Sequence, residues 1–256
     1  MKFSKRLAHR FSQHYTIGTL QLITLLVSIL LLISLLILYA VRQSHQLTEG
    51  SLQQAEAHLR QLQIEEELVQ WRQFDRIVSA LQFLSNGKMN TEDLVQTSRL
   101  LHRLARNTSV DPLLLLAVVS VESRGDPLIL GRFRSGAESG ALGLMQIKLE
   151  TAQIVARKMG QRVRYHELMR PDINLLYGTA YLLQMVQRYG SLEKGLIAYN
   201  IGPGALESAI SERRHLSKRY YNRVLSNYKG LVSRFGTDPS LEVSLQGEAN
   251  PKIDAE

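Results

Sequence analysis

The sequence predicts a mainly helical protein, in which a helical domain follows a membrane-spanning helix and a helical stalk. Three observations predict it. An unbroken run of 25 uncharged residues, dominated by Leu, Ile and Val, extends from Ile17 to Val41. A Pro-free stretch over 44–84 is rich in Gln, Glu, Leu and Ala. Across 92–235 apolar residues recur at intervals of three and four, the spacing of one helix face, while the period-two alternation of strands is scarce.

Residues 1–16 carry Lys2, Lys5, Arg6 and Arg10 and no acid. The run that follows, 17–41, would be roughly 37 Å long as a helix at ~1.5 Å per residue, enough to cross a ~30 Å hydrocarbon core. A secretory signal would have an apolar region of only ~7–15 residues and a small-x-small cleavage site, and Leu38-Tyr39-Ala40 is a poor version of one. An uncleaved single-pass anchor is therefore expected. Positive flanks stay in the cytoplasm, which places the N-terminus there and everything after Arg42 outside the cytoplasm.

Residues 42–91 form the expected stalk. Leu52, Ala55, Leu59 and Leu62 make one apolar stripe, and Ile64, Leu68, Trp71, Val78, Leu81 and Leu84 continue it with an offset. A long two-stranded coiled coil keeps a single heptad phase, so the stripe points to packing on the following domain or to a short dimer contact, and leaves the oligomeric state open. Ser85-Asn86-Gly87 is a turn signal. In the domain, 92–235, Asp111 is an N-cap with Pro112 at the first helical position, opening a helix through Ser123 that Gly125 and Asp126-Pro127 end. Asn174–Tyr189 is a second amphipathic helix, closed by Gly190. Residues 236–256 are polar and acidic and read as a disordered tail.

The formal net charge of +8 is unevenly spread. The domain has 21 basic and 12 acidic residues, and the tail one Lys and five acids. An excess of that kind suits a polymer bearing carboxylates, or anionic lipid headgroups. No compact nucleic-acid motif is present. The absence of cysteine excludes disulfide scaffolds, thiol nucleophiles, Cys-ligated metals and a lipoprotein anchor. His166-Glu167 lacks a second His at zincin spacing, so neither a metal nor another cofactor is expected. Ser85–Lys88 fits S-x-x-K but has no Lys-Thr-Gly partner.

Glu122 is the leading chemical candidate. Leu115, Val118, Val119 and Glu122 share one face of a helix that is otherwise apolar. Lost hydration raises the pKa of a carboxyl, and a place in the last helical turn disfavours its negative charge. Both favour a proton donor near neutral pH. Two Gly-rich stretches lie downstream, Gly136–Ile147 and Ala198–Gly204.

Five ordered blocks make the domain resemble the catalytic domain of the soluble-type (SLT, family 1) lytic transglycosylases. They are the helix ending in Glu122-Ser123, Gly140-Ala141-x-Gly143-Leu144-Met145-Gln146, Asn174-x-x-x-Gly178-x-x-Tyr181-Leu182, Ala198-Tyr199-Asn200-x-Gly202-Pro203-Gly204, and Tyr220-x-x-x-Val224-x-x-x-Tyr228. The resemblance implies a lysozyme-like α fold, peptidoglycan glycan strands as substrate, and Glu122 as the single catalytic acid/base. It implies Met145, Gln146, Tyr199 and Asn200 in the saccharide groove and Tyr220 beside the catalytic carboxyl. The interval of eighteen residues from Glu122 to Gly140 is longer than the family pattern, and the extra segment, around Leu128–Ser135, should lengthen a loop at the cleft edge. Ala137 stands where the family has a Ser; Ser135 and Ser139 are the nearby candidates, and Ser139 is carried as the substrate contact.

Most glycosidases use two carboxylates. The resemblance instead implies one carboxylate, the substrate N-acetyl group as internal nucleophile, and closure of a 1,6-anhydro ring on N-acetylmuramic acid. Asp126 and Glu138 are the possible second carboxylates of a competing muramidase-type hydrolase. A second competing class is a non-catalytic glycan-binding component of an envelope machine, with envelope proteins as partners.

Overall fold

The computed structural model of the chain describes residues 2–108 and 110–236, with side chains from Leu20 onward. The tail expected over 236–256 falls, beyond Gly236, outside the described residues. Two compact units divide the chain, Met1–Glu67 and Leu68–Glu256.

Helix α1 spans Lys2–Ser85. In the first unit every described side chain from Leu20 to Glu67 is exposed. A helix with an apolar, uncharged and wholly exposed stretch of this length meets the requirement for crossing a bilayer.

The second unit is mainly helical, as expected. It contains the last turns of α1, then α2 (Thr91–Thr108) and α3 (Pro112–Glu122). A three-stranded antiparallel sheet follows, β1 (Leu130–Arg132), β2 (Glu138–Leu142) and β3 (Ile147–Lys148), in the order β1-β2-β3. Then come α4 (Leu149–Lys158), α5 (Tyr165–Leu168), α6 (Pro171–Tyr189), α7 (Leu192–Ile201), α8 (Pro203–Ser211) and α9 (Arg219–Phe235).

Helix α3 is the centre. Pro112 through Val119 are all buried, so the helix is apolar all round, as a helix enclosed by others must be. Its main cluster joins Ile77, Ala80 and Leu81 of α1 to Leu101 of α2, Leu175 and Leu182 of α6, Leu196 of α7 and Val224 of α9. The end of the expected stalk thus belongs to the core of the domain, and Leu81 and Leu84 of the offset stripe pack there. Trp71 stays exposed. A second cluster, with Leu142, Ile147, Val155 and Leu168, lies between the sheet, α4 and α6.

The helix ends follow the local chemistry. Asp111 caps α3, its side chain accepting from the Leu113 N–H at 2.9 Å. The same carboxylate accepts from the Tyr228 hydroxyl at 2.8 Å and lies 3.5 Å from the Arg76 guanidinium. Helix α6 starts at Pro171, earlier than the apolar periodicity alone suggests, and Gly190 ends it in the left-handed conformation. The sheet was not legible as alternation because its strands have five residues or fewer.

Candidate active site

The C-terminal end of α3 presents Glu122. Helices α3 and α9 are joined along their length by polar contacts: Tyr228 to Asp111, Ser120 Oγ to Asn227 Oδ1 at 3.0 Å, and Arg223 to the Val121 carbonyl at 3.4 Å. The last of these contacts is at Glu122, whose Oε1 accepts from the Tyr220 hydroxyl at 2.5 Å. Tyr220 itself is buried, so its donor has a fixed direction.

Burial pushes the Glu122 carboxyl up from 4.5 to about 7, against the Tyr220 hydrogen bond and the Arg223 charge, which both pull it down. Desolvation is the leading cause, as its apolar helix face suggests. Tyr220 and Tyr199 are pushed upward, first by burial and next by the Glu122 charge. Both remain neutral donors. A Tyr220→Phe substitution removes a bond that stabilises the carboxylate. The Glu122 titration midpoint, followed by carbon NMR of the labelled carboxyl, should then move above about 7; a downward move would contradict this account.

The Gly-rich loop between β2 and β3 carries Met145 and Gln146, two of the expected groove residues. Asn174 of α6 is fully buried and makes three hydrogen bonds, two to this loop and its edge and one to the end of α5. Its Oδ1 accepts from the Met145 N–H at 2.8 Å, and its Nδ2 donates to the carbonyls of Leu142 at 2.8 Å and Leu168 at 3.0 Å. Gly143 has φ +66° and sits so close that a Cβ there would lie 2.6 Å from Asn174 Nδ2. No residue with a side chain fits that position.

Among the proposed groove residues, Met145 is fully buried. Its carbonyl accepts from the Tyr199 hydroxyl at 2.6 Å, and the Tyr199 ring stacks obliquely on Tyr181 at 5.5 Å. Gln146 is left-handed, φ +47°, a conformation costing about 1 kcal/mol or more outside glycine. Its amide Nε2 donates to the carbonyls of Ile129 and Gly143, at 3.1 and 2.9 Å, which fixes it. Ser139, on β2, accepts from the Ala141 N–H at 3.3 Å. Asn200 is exposed in the last turn of α7, next to Tyr199. Tyr220 thus meets Glu122 directly, and Tyr199 connects the Met145 backbone to the same carboxylate field.

The acids weighed as second carboxylates behave differently. Asp126 is engaged by Lys88 at 2.9 Å and by the Leu128 N–H at 3.1 Å. Those contacts hold its carboxyl below the usual range. Glu138 is exposed on β2, paired in register with Arg132 of β1. Sequence reasoning missed what Asn174 does. Its signal was a lone amide in the apolar face of α6, which must find partners when buried.

The transglycosylase SLT domain model matches residues 99–222. The chain is 34% identical over 120 residues to the endo-type membrane-bound lytic murein transglycosylase A of Klebsiella pneumoniae subsp. pneumoniae, a match covering 41% of this chain and 54% of that protein. The protein of the same name from Citrobacter koseri is 30% identical over 142 residues, 50% of this chain and 66% of its own length. The chain therefore matches only about half to two thirds of these relatives. A solved lytic transglycosylase Slt of Pseudomonas aeruginosa, an inactive mutant, aligns with a TM-score of 0.44 and 26% identity, over 53% of this chain and 24% of that one.

Proposed function

Residues 99–222 are a transglycosylase SLT domain, and from that premise we propose that the chain is a peptidoglycan lytic transglycosylase with Glu122 as its catalytic acid/base. The observation that carries this reading is a half-buried carboxyl, raised to about 7 by desolvation, at the end of α3 and oriented by Tyr220.

In the proposed cycle Glu122 donates its proton to the glycosidic oxygen as the bond from C1 of N-acetylmuramic acid to that oxygen breaks. The substrate's N-acetyl oxygen bonds to C1 in its place. The C6 hydroxyl then attacks C1, displaces the acetyl oxygen and returns its proton to Glu122. No water is consumed, and the ring closes because an internal hydroxyl has a high effective concentration. One carboxyl suffices for both proton transfers. The pKa of about 7 is close to optimal for a group that must first give and then take a proton near neutrality. Tyr199, Gln146, Asn200 and Ser139 are proposed to hold the saccharide, with Met145 acting through its backbone and Tyr220 positioning the acid.

The remaining organisation belongs to the same proposal. Residues 17–41 anchor the chain in a bacterial inner membrane, 1–16 remain cytoplasmic, and 42–91 act as a stalk whose last turns join the core of the domain, 92–235, that works in the periplasm. The test is digestion of purified peptidoglycan by the full chain, followed by product masses. Products ending in 1,6-anhydro-N-acetylmuramic acid are expected. Reducing ends heavier by one water would instead mean a hydrolase, and no turnover would mean a binding protein.

A further inference from the structure

The segment that lengthens the interval between Glu122 and Gly140 is folded, and it is fastened to the groove. Strands β1 and β2 form a hairpin whose tip is closed by Phe133 N–H to the Ala137 carbonyl at 2.8 Å and Gly136 N–H to the Phe133 carbonyl at 2.9 Å. Its base is tied to the Gly-rich loop. The Ile129 carbonyl accepts from the Gly143 N–H at 3.0 Å and from Gln146 Nε2 at 3.1 Å. Between base and tip sits Gly131, where a Cβ would lie 2.5 Å from Ser139 Oγ and 2.7 Å from Gln146 Oε1. The hairpin thus packs directly on Gln146 and carries Ser139 on its own second strand, both residues assigned to the saccharide groove.

Its exposed part has a definite chemistry. Arg132, Phe133 and Arg134 are consecutive and exposed, Phe133 by 57%. Among the described residues no salt bridge occupies either guanidinium. Arg132 donates to the Gly136 carbonyl at 3.3 Å and stands in register with Glu138. Nothing in register opposes Arg134. A guanidinium takes a carboxylate in a paired, directional contact, and an exposed aromatic ring adds apolar area beside it.

We propose that this hairpin is a rim of the groove that reads the stem peptides of the glycan strand, Arg132 and Arg134 taking their carboxylates. The inference rests on the glycan-cleaving reading of the groove. Exposed arginines beside Phe133 and Leu128 also resemble a contact for anionic lipid. The bonds that the Ile129 carbonyl accepts from Gly143 and Gln146 favour the glycan, because they fix the hairpin to the Gly-rich loop.

The test uses the full chain in detergent micelles, with Glu122→Gln as the background so that binding is measured without turnover. The probes are soluble glycan strands with their peptides and the same strands stripped of them by an amidase. Peptide-bearing strands should bind about tenfold more tightly, and Arg132→Gln with Arg134→Gln should bring that ratio to about one. Arg157→Gln with Lys158→Gln removes the same charge from α4 and should leave the ratio as it was. An equal affinity for both strands in the background protein, or a ratio that survives the hairpin substitutions, overturns the proposal. So does a loss confined to co-sedimentation with phosphatidylglycerol vesicles. Because the ratio is a binding measurement, it holds or fails whether or not the wild-type chain cleaves the strand.

Discussion

Glu122→Gln is expected to lower turnover of peptidoglycan by about a thousandfold, the contribution of a positioned general acid and base, while making the folded chain more stable at alkaline pH. The two effects share one cause. The carboxyl has an ordinary value of 4.5 and is raised to about 7 by burial on folding. Between those values the folded chain keeps a proton that the unfolded chain has already released. Stability therefore falls as pH rises through that window, and the full penalty is present above about 7. A shift of this size corresponds to about 3 kcal/mol. Gln has no charge to desolvate, and its Oε1 can still accept from the Tyr220 hydroxyl. Thermal melts at pH 5 and pH 8 should show little difference between variant and parent at the lower pH. At the higher pH the variant should melt several degrees above the parent. Retained activity would remove Glu122 from the chemistry, and an equal effect at both pH values would mean that its carboxyl titrates normally.

That trade-off shows which parts of the site were legible in the sequence. A helix reading Leu-Leu-Leu-Leu-Ala-Val-Val-Ser-Val before Glu122 announces both the burial and the raised acid, because one stretch of chain supplies both. Asp111 and Pro112 announce where that helix starts, since capping is local. The Tyr220 contact crosses 98 positions of sequence, and only the resemblance to a family pointed to it. The hairpin was expected as a longer loop. Its strands are too short for a period-two signal. The last turns of α1 were assigned to a stalk because the helical, Pro-free composition runs on without a break to Leu84. The first residues after the offset, Ile64, Leu68 and Trp71, stay exposed, and the helix enters the core only where it contributes Ile77, Ala80 and Leu81.

Asn174→Leu is the second substitution with a large expected effect, and it separates holding the loop from performing the chemistry. Leu has the same branched skeleton and bulkier ends, so no cavity is left. What is lost is the polar hub: the Met145 N–H and the Leu142 and Leu168 carbonyls are left without Asn174 as their partner. Each buried group stranded in this way costs about 1–3 kcal/mol. Partial relaxation of the loop should bring the total to about 3 kcal/mol, visible as a lower urea midpoint with an unchanged slope. The functional loss should exceed what that fraction unfolded explains. Met145 gives its carbonyl to Tyr199, and Gln146 is held left-handed by bonds to Gly143 and Ile129. Freed from Asn174, the loop can relieve the Gln146 strain by rotating, and it takes the Tyr199 hydroxyl with it. Under conditions where the variant is still folded, its kcat should fall about tenfold or more, since a displacement of about 1 Å at such a site has that consequence. The Glu122 midpoint should stay near 7, because Tyr220 and the α3 face are untouched. A variant that is destabilised but turns over at the parental rate would mean that the loop keeps its geometry without Asn174, held by Gly143 and the strand pairing alone.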